Sequence, residues 1–143
     1  MSLKTIIRLQ KLQLDEKRRV LADLHTLADR LRNEIERVKQ EIVHEQETVR
    51  DDFSVSFTYS NFAHAAMERG RKLGESLGQV EMQINIATDE MAEAFQELKR
   101  YELAEEERLK RERDKQKRKE AAMLDETALV GFRRRQAEEA AEG

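Results

Sequence analysis

The chain has 143 residues, enough for one ordinary domain, with no cysteine, proline or tryptophan, so disulfide scaffolds, thiolate metal sites and cysteine nucleophiles are excluded. Charged residues reach 40%, against roughly 25% in a typical soluble domain. Net charge is −3, from 27 basic and 30 acidic residues whose signs are mixed along most of the sequence, which argues against a general nucleic-acid or membrane binder.

Glu, Lys, Arg, Leu and Ala dominate, a composition of long helices. Leu, Ile, Val and Phe together number 33, about 23% of the chain. That is just above the roughly 20% below which disorder sets in. The few apolar residues must therefore be concentrated on a narrow seam. No apolar run approaches the 18 or so residues of a membrane span. Arg8 and Lys11 interrupt the N-terminal stretch, so no signal peptide is expected and cytoplasmic residence is the default.

Residues 1–50 predict a first coiled-coil helix. Ile7, Leu14, Leu21, Ala28, Ile35, Ile42 and Val49 recur every seven residues at a positions. Leu3, Gln10, Lys17, Leu24, Leu31, Val38 and Glu45 take the d positions. A seven-residue repeat kept over this length is a strong coiled-coil signal. Such a helix would be about 70 Å long at 1.5 Å per residue.

The pattern fails at DDFSVSFTYSN, residues 51–61, which read as a hairpin connection. Phe53, Val55, Phe57 and Tyr59 alternate as in a strand, but a lone hairpin has no sheet to join. Ser60 or Asn61 can cap the next helix by accepting a hydrogen bond from a free backbone N–H.

A second coiled-coil helix is expected over 62–112. Gly70, Leu77, Ile84, Met91 and Leu98 fall at a; Ala66, Leu73, Val80, Ala87, Ala94 and Tyr101 fall at d. Gly70, Gly74 and Gly78 each weaken a helix by about 1 kcal/mol against Ala. Their spacing of four either adds local flexibility or lets a partner approach closely. A short connection between two helices, each with one apolar stripe, implies an antiparallel two-helix coiled-coil hairpin, and the fold class is all-α. The expected seam comprises Leu14, Leu21, Leu24, Leu31, Ile35, Val38 and Ile42 against Leu73, Leu77, Val80, Ile84, Met91 and Leu98. Pairing residues whose numbers add up to 115 sets Leu31 against Ile84 and Val38 against Leu77, and exhausts the first helix near Glu112.

Residues 113–143 then form a charged helical extension, partly disordered. The run RLKRERDKQKRK at 108–119 holds eight basic and two acidic residues without an aromatic. The amphipathic stretch AAMLDETALVGF follows, and RRRQAEEAAEG closes the chain and is expected to be disordered at its end.

No catalytic, cofactor-binding or metal-binding residue is expected. His25, His44 and His64 lie far apart, carboxylates alternate with Lys and Arg, and no phosphate-binding glycine motif occurs. A small-molecule substrate and an enzymatic activity are therefore not anticipated. The run 108–119 could contact phosphates, so a nucleic-acid-binding helical hairpin is one alternative function. A structural coiled-coil scaffold of another assembly, virulence-type secretion or cell envelope, is the other. Two apolar groups exceed the needs of the seam: Ile6, Leu9, Leu12 and Leu27, and the tip residues Phe53, Phe57, Tyr59 and Phe62. Each either packs locally or docks a partner.

The opening LKTIIRLQKLQLDEKRRVLADL resembles the start of the flagellar FliJ family, and Tyr59-Ser60-Asn61-Phe62 resembles the Tyr-x-x-Phe that opens its second helix. The resemblance implies an antiparallel coiled coil similar to the stalk of the rotary ATPase gamma subunit. It implies a cytoplasmic component of the flagellar type III export apparatus, peripheral to the inner membrane, in a bacterium assembling flagella for motility and chemotaxis. Implied partners are the hexameric export ATPase, the cytoplasmic domain of the export gate and substrate chaperones. The implied gate-binding face runs through Phe62, Ala66, Arg69 and Leu73.

Overall fold

The computed structural model describes residues 1–50 and 56–142, and all of these beyond Ser2 are helical. Helix α1 spans Leu3–Arg50 and helix α2 spans Ser56–Glu142, 48 and 87 residues. Ser2 caps α1: its hydroxyl accepts a hydrogen bond from the Thr5 backbone N–H at 3.3 Å, and its carbonyl accepts one from Ile6 at 3.1 Å. Neither helix contains proline, and the helical glycines all keep negative φ, so nothing in the backbone stops propagation.

The two helices pack against each other as a helical hairpin. The heptads account for that packing position by position. Every a and d residue from Leu3 to Glu45 in α1, and from Tyr59 to Glu105 in α2, is buried or half-buried. Over the same spans only Ile6, Glu34, Phe62, Glu97 and Glu102 are covered away from the seam. Among the described residues no large side chain is fully buried. One partner helix shields a seam from one direction alone, so most a and d residues stay half-open while Leu14, Ala28, Val38, Ala63, Ala66, Val80, Ala87 and Leu98 lie deepest.

The chain divides into two units. One, Arg8–Leu98, is the body of the hairpin. The other joins Met1–Ile7 to Lys99–Gly143. In this second unit Glu105 is the last covered seam residue, and from Glu106 to Glu142 every residue except Gly131 is exposed.

Within the hairpin body, α2 partner numbers fall as α1 numbers rise. Lys17 pairs with Glu90 at 3.0 Å, Arg32 with Glu81 at 3.3 Å and Glu41 with Arg69 at 3.0 Å. A Cβ built on Gly70 would lie 3.6 Å from Val38 Cγ1. These pairs add up to 107, 113, 110 and 108, not 115. The alignment is therefore one heptad away from that expected from the apolar rows: Val38 faces Gly70 instead of Leu77. Ser56–Asn61, which the sequence assigns to the connection, belongs to α2, so helix resumes six residues before the expected start at Phe62. Sliding by seven residues preserves every a and d row, so the heptads alone do not distinguish the two alignments. The observed one sets the small Gly70 against Val38. Phe53 and Val55 lie outside the described residues.

The shift moves the end of the seam from near Glu112 to Glu105. Residues 113–142, expected to be partly disordered, continue α2 as helix.

Candidate docking surfaces

The seam separates two lateral sides of the hairpin body, and their chemistry differs. On one side α1 presents its e row: Lys11, Arg18, His25, Arg32 and Lys39, one cationic or titratable residue per heptad, all exposed. The e row of α2 borders the same side, as the Arg32–Glu81 pair shows. Between the rows runs an apolar groove lined by Leu14, Arg18, Met91, Ala92, Phe95 and Gln96. On the other side α1 presents the g-row residues Glu34 and Glu41, with Val20 and Leu27 nearer the N-terminus. Arg69 of α2 reaches Glu41 there, and a groove lies between Glu34, Val38, Arg69, Lys72 and Leu73.

The residues expected to contact the export gate do not share one open face. Ala66 has 0% exposure and sits in the seam. Leu73 is a half-buried seam residue, and Phe62, eleven residues earlier on α2, is half-buried at a g position. Arg69 is exposed and held to Glu41. A partner approaching this end of α2 would thus meet Arg69 and the outer part of Phe62, while Ala66 is enclosed.

Glu105 ends the seam as a carboxylate at an a position, 8% exposed. Arg108 donates to it from Nε at 3.0 Å and from Nη2 at 2.8 Å. That forked bond holds the Glu105 carboxyl below its usual range against the opposing effect of burial, and the Arg108 and Lys4 charges act in the same direction. Glu16 and Glu68 are lowered likewise by hydrogen bonds from Arg19 and Arg71, and the guanidinium of Arg71 is raised by Glu68 and then Glu75.

Beyond Glu105 the continuing a and d positions are mostly charged, among them Arg108, Glu112, Lys115 and Lys119. The basic run 108–119 is wholly exposed, as are Met123, Leu124, Leu129, Val130 and Phe132. Of the apolar group near the start of α1, Ile6 is half-buried, whereas Leu9, Leu12 and Leu27 are exposed and point in different directions around the helix. At the tip, Tyr59 and Phe62 are half-buried.

His25, His44 and His64 are all exposed. Among the described residues no cluster of histidine and carboxylate side chains could hold a metal ion. No described helix is long and apolar enough to cross a membrane. The e-row cations were not anticipated as a surface, although their seven-residue period is visible in the sequence. What gives the row meaning is the opposing e row of α2, which follows only once the helices are aligned.

A family model described as Flagellar FliJ protein matches residues 1–137. No curated protein and no solved structure matches the chain.

Proposed function

The chain belongs to the FliJ family of flagellar export proteins, and from that premise we propose that it is a non-enzymatic coupling component linking the export ATPase to the export gate. Match to the family over nearly the whole chain carries this reading. The proposed scaffold is an antiparallel coiled coil. Its support is the seven-residue burial pattern in both helices and the falling order of the cross-helix pairs.

A coupling protein must offer separate surfaces to separate partners. In this proposal the ATPase hexamer takes the part of α2 where residues 106–142 stand exposed, their mixed charge suiting weak, reversible contact. The gate's cytoplasmic domain takes the start of α2, at Phe62 and Arg69, with Leu73 in the seam beside Arg69 and Ala66 enclosed between them in sequence. Substrate chaperones are a third class of partner. The working location is the cytoplasmic face of the inner membrane, reached through the export apparatus.

Co-purification tests this directly. The full chain should capture the flagellar ATPase and the gate domain of the same organism. A Phe62→Ala, Arg69→Glu variant should keep the ATPase and lose the gate. Adding Glu41→Arg to that variant restores the cross-helix ion pair without restoring the docking face, so gate capture should stay lost. Capture of neither partner at low salt would refute the coupling reading.

A further inference from the structure

Beyond that reading, we propose that the e-row side of the hairpin body is a docking surface for an acidic amphipathic helix of a partner protein. Three features of the surface specify that occupant.

The first is the period of the charges. Lys11, Arg18, Arg32 and Lys39, with His25 between them, fall at strict seven-residue intervals along α1. Seven residues at 1.5 Å rise set them about 10.5 Å apart. A second helix with one carboxylate per heptad repeats at the same distance, so every cation can meet an anion at once. An irregular acidic loop cannot match the whole row.

Charge balance is the second feature. Arg18 leans on Asp15 at 3.7 Å, and Arg32 is held by Asp29 at 3.0 Å and Glu81 at 3.3 Å. Lys11, His25 and Lys39 pair with no carboxylate among the described residues. The row therefore keeps cationic charge to offer at both of its ends.

The third is the floor. Leu14, Met91, Ala92 and Phe95 line an apolar groove beside Arg18, and Phe95 is 44% exposed. Farther along α2, Gly74 and Gly78 face the same side, and a Cβ added to either would meet nothing within 4 Å. A low α2 wall lets a third helix settle close to the seam and cover the half-open a and d residues. Nucleic acid would use the cations but leave this apolar floor uncovered. An acidic helix with an apolar stripe uses both.

The test titrates the full chain with a labelled helical peptide of about four heptads, Leu and Ile at a and d and Glu at e and g. A peptide identical except for Lys at e and g is the control. Fluorescence anisotropy should show saturable binding of the Glu peptide, weakening as salt rises, and at least tenfold weaker binding of the Lys peptide. Lys11→Glu, His25→Glu, Lys39→Glu breaks no ion pair, so its helicity and melting point should be unchanged, while its affinity for the Glu peptide falls at least tenfold. Three acidic substitutions on the opposite side, Gln13→Glu, Ser76→Glu and Gln83→Glu, should leave binding within twofold of the parent. Equal binding of the two peptides, or equal binding by the e-row variant, overturns the proposal. A sedimenting dimer that the e-row variant abolishes overturns it too, because the occupant would then be a second copy of this chain. These readouts use neither the ATPase nor the gate domain, so they stand or fall apart from the coupling reading.

Discussion

Introducing cysteines at Val38 and Gly70 tests the alignment of the two helices. The natural chain has no cysteine, so the new pair has no competitor. A Cβ on residue 70 lies 3.6 Å from Val38 Cγ1, placing the two side chains in direct contact. A disulfide requires Cα atoms within about 6.8 Å and Cβ atoms roughly 3.5–4.5 Å apart. The alternative alignment, with Leu31 against Ile84, differs by seven residues, a slide of about 10.5 Å. No rotamer change absorbs that displacement. Val38→Cys, Gly70→Cys should therefore crosslink nearly completely under mild oxidation, and Leu31→Cys, Ile84→Cys should not. The bridge would close a loop of about 30 residues and raise stability by roughly 3–4 kcal/mol in the chain-entropy model, read as a higher melting temperature that reductant reverses. Efficient crosslinking of 31 with 84, and not of 38 with 70, would refute the alignment and the earlier end of the seam.

Gly74→Ala and Gly78→Ala should each stabilise the hairpin by about 1 kcal/mol, because the added methyl meets nothing and helix propensity improves; a fall in melting temperature on circular dichroism would contradict that. Ala66→Phe forces a ring into a site with 0% exposure and should cost about 1–3 kcal/mol, measured by urea unfolding. The Glu105 carboxyl is lowered in the folded chain, so its pairing with Arg108 contributes stability above the ordinary carboxylate range and loses it as pH falls through the lowered value. Arg108→Ala should flatten this part of the acid limb of a melting-temperature profile, and an unchanged slope would show that the pair contributes nothing there.

Much of the hairpin is legible in the amino-acid sequence alone. One heptad frame, with a positions at multiples of seven in both helices, marks their covered residues, because a residue at a or d has nowhere to point but the partner helix. Alignment is not legible in the same way. Leu31 can face Ile84 or Leu77 with equal apolar satisfaction, and the choice rests on how early the chain resumes helix after Arg50. Aromatic and β-branched residues in 51–61 resemble a connection, yet α2 already runs from Ser56, since Tyr59 and Phe62 gain cover by continuing the helical period. The extension behaves similarly. High charge at 113–142 suggests disorder, but these residues are strong helix formers with no proline, and α2 carries on through them. For the candidate site, Tyr-x-x-Phe directs attention to the start of α2 but does not say which residues there are open. Ala66 and Leu73 fall at d in the heptad frame, which assigns them to the seam and not to an outer face, and Ala66 is fully enclosed. Lys11, Arg18, His25, Arg32 and Lys39 carry a clear period, but a row of cations has no partner chemistry until the groove beside it is known.

Genetic complementation tests the coupling role most directly. A flagellated strain lacking its own copy of this protein would receive either the natural gene or one encoding Phe62→Ala, Arg69→Glu, with secreted flagellar subunits measured in the medium. The account predicts that the natural gene restores secretion and swimming, and that the variant, present at the same level and equally helical, restores neither fully. Full secretion by the variant would contradict gate docking at Phe62 and Arg69. Failure of the natural gene to raise secretion in its own host would contradict the coupling role itself.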